Sequence, residues 1–120
     1  MSEEKMMNIL TEDGVTIFAF SAISISNSSG IELVAAEVRQ YLESTRPERV
    51  IVDFDGVKFF SSLLLGLLVE IWKKMKAYDG TMVISGINPR LNRVFRITNL
   101  DKIFEFHPDR QTALKALTES

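Results

Sequence analysis

The stretch RVIVDF, residues 49–54, constrains the fold of this chain more than any other. Val50, Ile51 and Val52 form an unbroken β-branched run, without the polar alternation of a strand that has one face in water. Such a strand is buried on both faces, so it belongs in the middle of a sheet covered by helices. The residues that follow agree. SSLLLGLLVEIWKKMKA carries apolar residues at helical spacing, Asp79-Gly80 stops it, and TMVISGI reads as another strand. Strand, helix and strand in succession make a βαβ unit, with its two strands parallel and its crossover right-handed. The chain is therefore expected to be of the α/β class.

The flanking segments fill out the sheet. MNILT and VTIFAF lie on either side of Glu12-Asp13-Gly14, and Asp-Gly between two strand-like runs predicts an antiparallel hairpin. SSGIELVAAEVRQYLEST places Ile31, Val34, Ala35, Val38 and Leu42 on one helical face, with Ser29 and Glu32 as a capping box at its start. Asn88-Pro89 supplies a cap and a first-turn proline for a short helix over RLNRVFRIT. KIFEF predicts a last strand, and Asp109 caps a closing helix in DRQTALKALTES. The expectation is one domain over residues 1–120: a small mixed sheet of about four or five strands with about four helices packed on it. A chain of 120 residues buries about 65% of the surface its unfolded form exposes, enough for one core.

Several function classes lose support at this point. The formal net charge is −2, whereas nucleic-acid-binding domains usually carry a basic excess. The start, MSEEKMMNIL, is acidic and has no signal-peptide pattern, and no apolar run approaches the ~18 residues of a membrane span. A cytoplasmic protein without membrane insertion is expected. With no cysteine and one histidine, His107, there is little material for a nucleophile pair or a metal cluster. Asp53 and Asp55 alternate along a strand and so point to opposite faces, which gives no acid/base pair. Gly30, Gly56, Gly66 and Gly80 are isolated, so no phosphate-cradling loop forms. No enzyme, cofactor or metal is expected. Lys73, Lys74 and Lys76, and likewise Arg90, Arg93 and Arg96, read as solvated faces with local pairs such as Glu70–Lys74.

The leucine-rich helix has a surplus. At about 100° per residue, Leu64, Leu65, Leu68, Ile71, Trp72 and Met75 fall in one stripe and form its core face. Leu63 and Leu67 lie off that stripe, beside Gly66 and Glu70, and are expected to be partly exposed. Ser61 and Ser62 stand at the helix start, just past the end of a buried strand. Free backbone N–H groups and the helix dipole favour a negative group there. Two roles fit: an N-cap worth about 1 kcal/mol, or a site for phosphate.

The segment VIVDFDGVKFFSSLLLGLLVEIWKKMKAYDGTMVISGINPRLNRVFRITNLDKIFEF resembles the STAS domain, the module of anti-sigma factor antagonists and of sulfate-transporter cytoplasmic tails. The likeness lies in an ordered series: strand, Ser-containing helix start, Gly-bearing turn, strand, a proline-led short helix and a final Ile-Phe motif. The resemblance implies a non-catalytic protein-binding module that engages an anti-sigma factor acting also as a serine kinase. It places the family's phosphorylatable serine on Ser62 and implies partner contacts at Asp55, Ser61, Leu63, Gly66 and Leu67. Phosphate there costs desolvation and repels nearby acids, for which the resemblance implies Asp55, with Asp53 a second candidate. A phosphatase acting on phosphoserine is a further implied partner. The chain departs from the family at Ser61, where an acid is usual, at Leu64, where a glycine is usual, and at Ser24, again in place of an acid. A constitutive scaffold, or a non-catalytic subunit of a signalling or membrane-transport complex, is the alternative reading.

Overall fold

A computed structural model describes residues 6–22 and 24–119. In chain order the elements are β1 (Met7–Glu12), β2 (Val15–Phe20), β3 (Ser24–Ile25), α1 (Ser28–Thr45), β4 (Arg49–Asp53), β5 (Phe59–Phe60), α2 (Ser62–Lys76), β6 (Thr81–Ser85), α3 (Pro89–Ile97), a 3-10 turn (Leu100–Lys102), β7 (Glu105–His107) and α4 (Arg110–Thr118). The main sheet is five-stranded in the order β1-β2-β4-β6-β7. Its first pair is the predicted antiparallel hairpin, closed by Asp13 and Gly14 with φ of 52° and 79°. Positive φ at both positions matches the right-handed twist of the flanking strands.

As the β-branched run demands, β4 is the central strand, parallel to β2 on one side and to β6 on the other, and β6 runs parallel to β7. Pleat alternation divides its side chains between two cores. Val50 and Val52 join the larger core with Ile31, Val38, Leu64, Leu68 and Phe95 from α1, α2 and α3. Ile51 joins Val15, Ile17 and Val83 under Ala113 and Leu114 of α4. The same alternation turns Asp53 toward α4. It is buried, accepts from Ser85 Oγ at 2.8 Å and from Arg110 Nε at 3.0 Å, and forms an ion pair with Arg110 Nη2, also at 3.0 Å. The expectation that Asp53 stands with the Ser62 group is therefore corrected: β4 presents it to the opposite side of the sheet from α2.

Three local expectations also change. Asn27, not Ser29, caps α1, its side-chain oxygen accepting from Gly30 N at 3.1 Å; the helix has already begun at Ser28, which leaves Ser29 inside the first turn. KIFEF is not all strand: Leu100–Lys102 forms the 3-10 turn, Phe104 plugs the core, and pairing with β6 starts only at Glu105. Finally, β3 and β5 form a separate two-stranded parallel ribbon that the sequence did not announce. With two residues each, these strands are too short to show a period. The cap at Asp109 is as expected, its carboxylate accepting from Thr112 N at 2.8 Å. That hydrogen bond holds the Asp109 carboxyl below its ordinary pKa.

Candidate functional site

The β3–β5 ribbon decides what lies at the start of α2. Ser24 pairs with Phe59 and Ile25 with Phe60, and Ser61 N donates to Ile25 O at 2.9 Å. Helix α1 begins three residues beyond Ile25 and α2 two residues beyond Phe60, so both helix starts emerge side by side. The larger core anchors the ribbon through Phe60, whose ring packs 5.4 Å from Phe54 and 5.8 Å from Phe95. Asn88 fixes the preceding loop by donating from Nδ2 to Val57 O at 3.1 Å.

The two serines occupy different environments. Ser61 is the N-cap residue, with extended backbone, but its side chain makes no capping bond; its Oγ is buried without a hydrogen-bond partner. Ser62 is the first helical residue and is exposed. Its neighbour Leu63 is 45% exposed. Neither α1 nor α2 has an acidic residue in its first turn, so the dipoles at this edge stay unneutralised by their own side chains.

Next to Ser62, the facing sides of α1 and α2 leave a groove of about 230 Å³ lined by Ile31, Ala35, Leu63, Gly66 and Leu67, with Glu32, Arg39 and Glu70 at its rim. Gly66 is exposed, and a Cβ built on it meets no atom within 4 Å. Leu67 is corrected here: expected to be partly exposed, it is 5% exposed and forms part of the groove floor, because α1 packs over that flank of α2. Helical spacing had placed Leu67 correctly off the sheet-facing stripe, yet a second helix covers it. Leu64, Leu65, Leu68, Ile71 and Met75 are buried as expected, and Trp72 is half-buried.

A bidentate ion pair crosses between the two helices beside the groove. Arg39 Nε and Nη2 donate to the two carboxylate oxygens of Glu70 at 2.6 Å and 2.9 Å. The hydrogen bond from Arg39, opposed by partial burial and reinforced by the charge of Arg39, holds the Glu70 carboxyl below its ordinary pKa. The expected Glu70–Lys74 pair is thus replaced by one between helices, with Lys74 a minor electrostatic contributor. Arg39 escaped the sequence reading because its partner lies 31 residues away; its only signal was a charge bordering the apolar face of α1. Asp55 sits in the loop after β4, exposed and followed by Gly56 at φ 87°. Ser61, Ser62, Leu63, Gly66 and Leu67 therefore stand together at one end of α2, whereas Asp53 stands apart from them.

Among the described residues, no group of three His, Cys, Asp or Glu side chains could hold a metal ion. The His107 ring contacts Glu105, Nε2 to Oε2 at 2.7 Å. No helix of the described residues is long and apolar enough to cross a membrane.

The family model of the STAS domain matches residues 6–113. The chain belongs to the STAS domain family. Among its relatives is BtrV of Bordetella bronchiseptica, a protein assigned as an anti-sigma factor antagonist, 25% identical over 104 residues that cover 87% of each chain. An anti-sigma-factor antagonist STAS domain protein from Planctomyces limnophilus, of known structure, is 26% identical and superposes with a TM-score of 0.82 over 92% of this chain and 96% of that one. The phosphorylated form of the Bacillus cell fate determinant SpoIIAA superposes with a TM-score of 0.73 at 13% identity, over 92% of this chain and 98% of that one. At that identity the likeness speaks for the fold alone. The five-stranded mixed sheet with four helices in this STAS domain agrees with the α/β expectation drawn from the β4–α2–β6 run.

Proposed function

We propose that this STAS domain is an anti-sigma factor antagonist of the cytoplasm, a non-catalytic module that docks on an anti-sigma factor with serine-kinase activity and is released by phosphorylation. The docking surface is the start of α2 and its groove with α1, including Asp55, Ser61, Leu63, Gly66 and Leu67. Ser62 accepts the phosphate, and a phosphatase returns the domain to its binding form. One observation carries this reading: Ser62 is exposed at the first helical position while Leu63 beside it is 45% exposed. A side chain that a kinase can reach and an apolar side chain that a partner can cover stand next to each other.

The chemistry is one of opposed requirements. The unmodified surface offers Leu63 and an open notch at Gly66, which reward a partner that excludes water. A phosphate of about −1.5 to −2 charges is welcome at a helix N-terminus within the domain, yet is costly to desolvate under a docked partner and repels a nearby acid such as Asp55. Thus the phosphoprotein itself stays folded while the complex loses affinity. The experiment is intact-mass measurement after incubation with ATP and an anti-sigma factor that has serine-kinase activity, for the natural chain and for Ser62→Ala and Ser61→Ala. One phosphate on the natural chain and on Ser61→Ala, and none on Ser62→Ala, supports the assignment. Phosphate retained by Ser62→Ala and lost by Ser61→Ala moves the site by one residue.

A constitutive scaffold is the second reading, favoured by a specific observation: Ser61 replaces the acid usual in the family, and its Oγ is buried without a partner. No phosphate on any variant, with binding to the anti-sigma factor intact, would select this reading over the switch.

A further inference from the structure

We infer that the outer face of α3 is a second docking surface, separate from the Ser62 edge, for an acidic segment of a protein partner that also carries an apolar side chain. Residues 88–104 hold four basic side chains against one acid, a local charge of +3 in a chain whose total is −2. Three of the four are Arg90, Arg93 and Arg96 of α3, all exposed, and α3 contains no acid. None of their guanidinium groups forms an ion pair among the described residues. The face is solvated as expected, but without the expected local pairs among the described residues. Asp101, the one nearby acid in sequence, has an Oδ1 that is buried without a hydrogen-bond partner.

The residue types are informative. Helix α2 ends in Lys73, Lys74 and Lys76 at its C-terminus, where cations complement the helix dipole. On α3 the basic residues are all arginine, and Arg90 is the second helical residue, at the end where a cation opposes the dipole. Folding gains nothing from a positive charge there. Arginine presents a planar fork that grips carboxylates in pairs, and it is enriched at protein interfaces where lysine is depleted. Ile97, one and two turns beyond Arg93 and Arg90, shares their face and is 73% exposed. Leu91 and Phe95 already provide the buried face of α3, so packing of the helix does not call for Ile97.

Three arginines around one exposed isoleucine suit a segment with carboxylates flanking a single apolar residue. A membrane surface requires a broader apolar face than one side chain. Nucleic acid draws its affinity from many phosphate contacts, and this stripe is only about 9 Å long on an acidic protein.

The test titrates the full chain, followed by amide NMR, with a short glutamate-rich peptide built around one leucine. Shifts centred on residues 89–98 are expected. Replacing the glutamates by glutamine, or introducing Arg90→Glu with Arg93→Glu, should weaken binding at least about tenfold. Ile97→Ser, or serine for the peptide's leucine, should weaken it about threefold or more. Arg90→Glu alone should raise Tm while it lowers affinity, an outcome that separates lost contact from lost fold. Ser62→Ala should bind the peptide like the natural chain. The inference is overturned by shifts centred on Lys73–Lys76, by indifference to the arginine variants, by loss of binding in Ser62→Ala, or by tighter binding to phosphatidylglycerol vesicles or a DNA duplex than to the peptide.

Discussion

At Gly66 a methyl group would enter open space, whereas at Gly86, with φ of 76°, it would stand 2.8 Å from Asp53 Oδ1 and 2.9 Å from Asp55 N. Gly66→Ala should therefore stabilise the fold by about 0.5–1 kcal/mol through helix propensity alone. It should also weaken binding of the anti-sigma factor, because the added methyl narrows the groove. Urea unfolding and a binding titration on the same variant read the two effects independently. Gly86→Ala should cost more than about 1 kcal/mol, since neither the backbone conformation nor the space suits a side chain. The residues at this scale were unevenly legible. Ser62 and Leu63 could be placed from helical spacing because their exposure depends on α2 alone. The burial of Leu67 depends on α1, and the separation of Asp53 from the site depends on α4; contacts so distant in sequence leave no local pattern.

Among elements, α4 covers the smaller of the two cores. Ala113 and Leu114 are its buried residues, and Arg110 clamps it to the buried Asp53. Arg110→Met removes one partner and leaves the carboxylate with Ser85, at an expected cost of about 2 kcal/mol. Adding Asp53→Asn should recover part of that loss, as a double-mutant cycle by chemical denaturation would show. Amides of α4 should exchange by a partial opening, ahead of those in β4. The long helices and the hairpin were readable because each carries its own period or turn signal. The β3–β5 ribbon and the shortened β7 were not, since their limits are set by the strands and rings they meet, such as Phe60 on Phe95.

At the scale of the whole molecule, shifted groups among the described residues make stability depend on pH at both extremes. Glu70 and Asp109 are held below their ordinary values, by hydrogen bonds from Arg39 and from the α4 backbone respectively. Their contribution is present above the unfolded carboxylate pKa and is lost as pH falls through the lowered values, below about pH 4. Burial raises the Tyr78 phenol, whose hydroxyl donates to Pro47 O at 2.9 Å. Its contribution is present below the ordinary phenol pKa of about 10 and fades as pH rises through the raised value. Urea midpoints should therefore stay level near neutrality and decline at both extremes; Arg39→Met should flatten the acid limb and Tyr78→Phe the alkaline one.

Because α1 and α2 both spring from the short ribbon stitched by Ser61 N to Ile25 O, their starting turns are yoked like two oars in one lock. A partner that reaches the first turn of α2 therefore meets the first turn of α1 beside it, and the Arg39–Glu70 ion pair joins the same two helices about two turns farther along α2.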